Sequence, residues 1–384
     1  MLRSGMDTKR TKHLTLLGLI ASITINLQGI SEYQVTEALK IPRAFNLEGG
    51  KMADALDVKR IKDTLDVCLP KIEQVKLSRC VIREKIAKDF MLTLKKHPVQ
   101  QFSLEYSAVS FFGFRVIFNM LKNHDLEGIH LHGIGLGTLG AKCLAGLLRE
   151  KKVLRQLDLC RVEMSSEGLV AIVDGLAGNN VLEVFNLTDK VTLEGKSAEE
   201  LKEIFSKLLD GKENLSEINL SGLNMGSEGA VELIKALAEN CPVITKINLA
   251  RNKIGNKGFK AIAEMLPLFP LLEELILADN NIRIKGAEAL AEVLPRCFSI
   301  KEINLHGNPI GNKGALKIAN VLARTSLNGL VLGVNGMDEK GMTEFCEVLR
   351  STELKQLWVD LTLVMLPCIK NLMRITPIKI SIYE

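Results

Sequence analysis

INLARNKIGNKGFKAIAEML, residues 247–266, is followed by LILADNNIRIKGAEALAEVL, residues 275–294, and INLHGNPIGNKGALKIANVL, residues 303–322. Ile244, Ile247, Leu249, Asn252, Ile254 and Gly258 recur as Leu272, Leu275, Leu277, Asn280, Ile282 and Gly286, a shift of 28 residues. The same frame starts at Ile72, Val99, Leu126, Leu154, Leu182, Leu215, Ile244, Leu272, Ile300, Leu327 and Leu354. Successive spacings are 27, 27, 28, 28, 33, 29, 28, 28, 27 and 27, so the chain is a repeat array and not a set of unlike domains.

Within each unit apolar residues alternate and then take helical spacing, as in Ile247/Leu249 followed by Ile262/Leu266, which predicts strand, turn, helix. Gly113, Gly140, Gly168, Gly229, Gly258, Gly286, Gly314 and Gly341 are expected at the strand-to-helix turn, where a missing side chain permits close approach and unusual dihedrals. Asn252, Asn280, Asn308 and Asn335 follow the strand. An amide there both donates to and accepts from the turn's backbone.

These residues resemble the leucine-rich repeat family, specifically its ribonuclease-inhibitor-like subclass with repeats near 28 residues. The quoted segments are also similar to repeats of nucleotide-binding immune receptors and of leucine-rich effectors from intracellular bacteria. The resemblance covers residues 72–359 and implies a right-handed solenoid, or horseshoe, with a parallel sheet on the concave face and helices on the convex face. It also implies a protein-interaction scaffold, with a translocated effector in host cytosol and a cytosolic sensor-like protein as settings. A GTPase-activating protein is the alternative, since one branch of the subclass has that activity; the acidic C-terminal tail usual in that branch is not matched by IKISIYE at residues 378–384.

The wedge shape of each unit supports the curvature. Strands stack about 4.8 Å apart and helices about 8 to 10 Å apart, so the sheet lies inside. Residues 1–71 are expected to hold an N-terminal cap and degenerate first repeats, with Ile25/Leu27 and Phe45/Leu47 in strand register. Residues 360–384 are expected to hold a C-terminal cap with Ile378 and Ile380 in a last short strand. Lys9, Arg10 and Lys12 precede an uncharged run from Leu14 to Ser31. It superficially copies a signal peptide, but only Leu14 to Ile25 is convincingly apolar, too short for a membrane span, and a buried cap on a soluble fold is expected.

The 384 residues carry 50 Lys+Arg against 45 Asp+Glu, a net charge of +5, which points to neither disorder nor a polyanionic partner. Aromatics are 4% with one Trp, which favours many small aliphatic layers and disfavours an RNA-binding sheet with stacking aromatics. None of the eight cysteines forms a CxxC or other zinc or redox spacing, so reduced thiols in a cytoplasmic monomer are expected. No cofactor motif, Walker loop or HExxH is present.

The central concave row is expected to read Asn26, Asn46, Lys76, Ser103, His130, Asp158, Asn186, Asn219, Asn248, Ile276, Asn304, Val331, Trp358 and Lys379. Partner contacts are expected at His130, His132, Asp158, Asn248, Ile276, Asn304, His306, Val331, Trp358 and Asp360. Trp358 beside Val331 has the composition of a binding anchor, or else it is covered by the C-terminal cap. His130, His132, Asp158 and Cys160 are donors of the kind Zn²⁺ takes, and Ser103, His130 and Asp158 superficially resemble a triad. A flat open sheet supplies no oxyanion hole, so a polar contact patch is expected and neither metal nor catalysis. Lys257, Lys285, Lys313 and Lys340, each one residue before a repeat glycine, form a basic edge suited to steering an acidic partner. The excess of the long unit falls in TDKVTLEGKSAEE, residues 188–200, expected to protrude beside the strand ends.

Overall fold

The computed structural model describes the strands at 22–26, 33–34 and 44–48 and residues 72–382. Apart from the strand Ser22–Asn26, the apolar run Leu14 to Ser31 lies outside these residues. The chain divides into two compact units, Met1–Gly135 and Leu136–Glu384. In the first, Ser22–Asn26, Ala44–Glu48, Gln74–Ser78, Gln101–Glu105 and Gly128–His132 pair in parallel in that order. Tyr33–Gln34 adds antiparallel beside Ser22–Asn26. The helices Glu84–Leu94 and Phe111–Leu121 pack against each other.

In the second unit strands Gln156–Cys160, Val184–Thr188, Glu217–Asn219, Lys246–Asn248, Glu274–Ile276, Glu302–Asn304, Gly329–Val331, Gln356–Val359 and Lys379–Ile382 pair in parallel in chain order. Each strand but the last leads into a helix, and helices such as Gly255–Met265 and Gly311–Leu322 pack on the helix before them. The inward pairs, among them Ile247/Leu249 and Leu275/Leu277, are fully buried against helix residues such as Ile262 and Leu290. At the ends the register corrects the expected row. Thr24, not Asn26, stands beside Asn46, and Ser381, not Lys379, beside Trp358. Each is a displacement of two residues, which keeps the same face of the strand.

The repeat glycines stand inside the first helical turn and not in the turn before it. Their function is close approach: a Cβ at Gly258 would lie 2.8 Å from Ser227 Cα, and one at Gly314 3.1 Å from Ala287 Cβ. The left-handed position comes earlier, seven residues into each frame. Arg79, Tyr106, Gly133, Arg161, Asp189, Gly222, Arg251, Asp279, Gly307 and Val334 all have φ between 46° and 75° there. At the glycines of this column the preceding repeat's side chain fills the space, Asp189 Oδ1 lying 2.2 Å and Asp279 Oδ1 1.9 Å from a Cβ built on Gly222 and Gly307.

One residue further on stands the asparagine column. Asn280 Nδ2 donates to the carbonyls of Leu249 (2.8 Å), Leu277 (2.9 Å) and Ala278 (3.1 Å). Its Oδ1 accepts from Asn252 N (2.9 Å) and Ile254 N (3.4 Å). Asn308 repeats this toward Asn280 and Ile282. A second polar column marks strand entry. In the second unit, buried Asn179 donates to Lys151 O and Leu154 O. Buried Lys212 donates to Asp210 O at 2.9 Å and more weakly to Leu176 O; burial lowers its pKa.

Asn280→Ala leaves several buried peptide groups unpaired, each worth about 1 to 3 kcal/mol, and should lower stability by about 3 kcal/mol or more in urea unfolding. Asn335 donates to two carbonyls while its buried Oδ1 has no partner, so Asn335→Ala should lose roughly half as much. Equal losses would mean that the column does not act through these bonds.

Candidate functional site

The open face of the second unit carries, in register, Asp158, Asn186, Asn219, Asn248, Ile276, Asn304, Val331, Trp358 and Ser381. Most of its polar members are occupied locally. Oδ1 of Asp158, Asn219, Asn248 and Asn304 accepts from the backbone N–H two residues on, at 2.9 to 3.1 Å. This is the side-chain turn that ends a strand, so asparagine recurs here for the backbone and not for solvation alone. Asn304 is 6% exposed and Val331 2%, which corrects the expectation that both are accessible. Val331 lies in register between Asn304 and Trp358, and a large indole on one flank closes a site only one strand spacing wide.

Trp358 is half-buried. Its ring leans back over the preceding strand, where Gly329 leaves room: a Cβ there would lie 3.4 Å from Trp358 Cζ3 and 3.2 Å from Glu302 Cγ. Burial raises the Glu302 pKa first, and neighbouring Glu274 raises it further; Glu274 itself pairs with Lys246 at 2.6 Å. Indole, carboxyl and a glycine gap thus share one part of the face, with Ile276 half-buried in the same row and His306 half-buried just past the strand. The composition of this niche was missed in the sequence, although Gly329, at a position where the four preceding strands open on Glu217, Lys246, Glu274 and Glu302, signals a close approach. Asp360 does not project freely; its Oδ1 accepts from Val334 N. Val334, 62% exposed at φ 51°, stands at the rim.

His130 and His132 belong to the first unit, Asp158 and Cys160 to the second. His130 Nε2 meets Gln101 Oε1 at 3.1 Å, and His132 Nε2 meets the Tyr106 hydroxyl at 2.7 Å. Burial, then Asp158, pushes the Cys160 thiol up to about 12, which makes it a poor thiolate ligand or nucleophile. Among the described residues no group of three or more His, Cys, Asp or Glu is placed to hold a metal ion.

Lys257, Lys285, Lys313 and Lys340 are all exposed. They occupy the second or third residue of their helices, where the helix dipole disfavours a cation by about 0.3 to 1 kcal/mol. The segment 188–200 does not protrude as expected. Val191 and Leu193 are buried, and Leu193 N donates to Leu223 O at 2.8 Å. Asp189 pairs with Arg251 at 3.1 Å and Glu194 with Lys253 at 3.0 Å, so the insertion lies across the turns of the following repeats. Two apolar residues and two acids within the six positions 189–194 were the sequence signal for this.

A model of the family described as leucine-rich repeat matches residues 240–263, 270–291 and 296–319. Ribonuclease inhibitor from Mus musculus is 26% identical over 230 residues, covering 52% of this chain and 50% of that protein. The chain therefore spans about half the length of this relative. Among solved structures, the crystal structure of the Rad7 and Elc1 complex in yeast aligns with a TM-score of 0.48 at 13% identity, over 80% of this chain and 81% of that one. The repeats are leucine-rich repeats of the ribonuclease-inhibitor-like kind, and the chain is an α/β solenoid built from them. No described helix is long and apolar enough to cross a membrane.

Leu193→Ala should cost about 2 to 4 kcal/mol, as for other buried leucines, and should open Lys190 and Lys196 to trypsin while the parent chain resists at both. Rapid cleavage of the parent at these lysines would show that the insertion is not held down.

Proposed function

We propose that the chain is a non-catalytic scaffold that holds a protein or peptide partner on the open face of the second unit. Trp358 leaning over Gly329 beside Glu302 is the observation that supports this reading, because a few aromatic and charged anchors in an otherwise occupied face are how such interfaces concentrate affinity. The repeat type supports a protein-interaction role, and the mouse relative is named as an inhibitor of ribonuclease. A reducing compartment suits the described cysteines other than Cys143, which stand as thiols outside any disulfide. We place the protein in a cytosol, host cytosol if it is a translocated effector.

The four lysines add a steering role. Cations kept against the dipole at four successive helix starts bring a positive edge to an acidic partner, and such a field acts on encounter more than on residence.

Affinity capture from cytosolic extract, run with the parent chain and with Trp358→Ala side by side, identifies the partner. Trp358→Ala should then weaken binding by at least about 2 kcal/mol, chiefly through faster dissociation. Lys285→Glu with Lys313→Glu should slow association and flatten its salt dependence, since exposed charges are screened over about 8 to 10 Å. Normal binding by Trp358→Ala with an unchanged melt removes the anchor. Acceleration of GTP hydrolysis by a small GTPase would replace the scaffold reading with the GTPase-activating one.

A further inference from the structure

Beyond the main strands, the first unit forms a second small parallel sheet from Val81–Ile82 and Ala108–Val109. Ala108 N donates to Cys80 O at 2.8 Å and Ser110 N to Ile82 O at 3.1 Å. Alternate residues of a strand bond to opposite sides, so Val109 turns its N–H and C=O away from Val81–Ile82. Among the described residues no strand pairs with that side.

The polar column explains why pairing stops here. Cys80 N donates to Ser107 Oγ at 2.9 Å, and Ser107 Oγ donates to Glu105 O at 2.9 Å, as the asparagines do later in the chain. The next position of the column is Ile134, which has no acceptor to offer the Ser107 turn. A cleft of about 590 Å³ opens between the two turns, lined by Val81, Arg83, Tyr106, Val109, Gly133 and Gly135 among others. A Cβ at Gly135 would meet nothing within 4 Å. Tyr106, 51% exposed, closes one end, its ring over Gly133 and its hydroxyl on His132. Val81 is 38% exposed.

The polar groups around the cleft are unequally committed. Ser107 Oγ is engaged as above, and Ser110 Oγ accepts from Gly113 N at 3.1 Å. The open backbone of Val109 remains, together with the exposed Arg83 guanidinium, which no carboxylate pairs among the described residues. An open strand edge recruits an extended peptide backbone, and a guanidinium recruits a carboxylate through a two-pronged hydrogen bond. The edge is two residues long, too short for a segment that must enter and leave but sufficient for a chain end. A strand added in parallel, like its neighbours, terminates on the side where Arg83 follows Ile82.

We propose that this cleft binds the extended C-terminal tail of a partner protein, adding it as a third strand beside Val109 with its terminal carboxylate on Arg83 and an apolar side chain between Val81 and Tyr106. The site lies in the first unit and stands independently of the open-face reading. Random heptapeptides displayed at the free C-terminus of a carrier are selected against the full chain, and the enriched sequences are synthesised as free acids and as C-terminal amides. The free acids should bind, and binding should fall at least about tenfold, or 1.4 kcal/mol, for the amides, for Arg83→Gln and for Gly135→Leu, which fills the open space. Trp358→Ala should bind these tails normally. Failure to enrich any tail, equal binding of acid and amide, or full binding by both cleft variants overturns the proposal. If Gly135→Leu melts early, the amide comparison and Arg83→Gln, which alters only an exposed side chain, still decide it.

Discussion

Every repeat of this solenoid must turn from strand to helix over an apolar core, and the peptide groups of that turn have no regular partner. In the repeats of Asn252, Asn280 and Asn308 a buried side chain that both donates and accepts resolves this, and the regular later part of the array depends on it. Asn280 ties its own turn to the strand before it and receives the amides of the preceding turn. Because each asparagine bonds across the repeat boundary, neighbouring repeats are locked in register as well as in contact. Ile134, Val162 and Leu223 at the same place are also buried but supply no directional bond, since apolar contact has no direction.

That constraint propagates outward. The residue before this column takes a left-handed backbone in each repeat from Arg79 to Val334, whether the column holds an amide, as at Asn252, or an apolar side chain, as at Ile134 and Val162, and where it is not glycine its side chain is directed to the rim. Where the following repeat has glycine, as at Gly222 and Gly307, the side chain folds over it; where it does not, the side chain stays at the exposed rim, as at Arg161 and Arg251. The insertion exploits this rim, its acids meeting Arg251 and Lys253. These pairs are half-exposed and each contributes little, so Val191 and Leu193 hold the segment down and the ion pairs choose where it lies.

The period and the apolar pattern in the sequence contain the repeat, its strand and its helix, because burial acts on residue type at fixed spacing. The role of Asn252, Asn280 and Asn308 is readable for the same reason: only an amide satisfies both demands at once. Other assignments depend on a neighbour that spacing alone does not reveal. Asn248 and Asn304 look like solvated surface until their turn bonds are seen. Val331 looks exposed until the Trp358 ring takes the space that Gly329 leaves. Gly258 and Gly314 look like turn residues, yet what requires them is the close approach of the preceding helix, through Ser227 Cα at the first and Ala287 Cβ at the second. At both ends the strand period of two allows a displacement that preserves the buried face, so the pattern fixed the face and not the partner.

The occupied asparagines also change what the open face can offer. A groove lined by free amides would bind many polar surfaces weakly, whereas here those amides already end the strands on which they stand. On the proposed scaffold reading, selectivity falls to groups with no backbone duty: Ile276, the Trp358 ring, and the carboxylates of Glu274 and Glu302. Glu302 is the more informative of the two acids, since burial and its like-charged neighbour both disfavour its anion. A partner group that brings a positive charge or a hydrogen-bond donor to it relieves both effects at once, so the least comfortable side chain on the face is the one with most to gain from being covered.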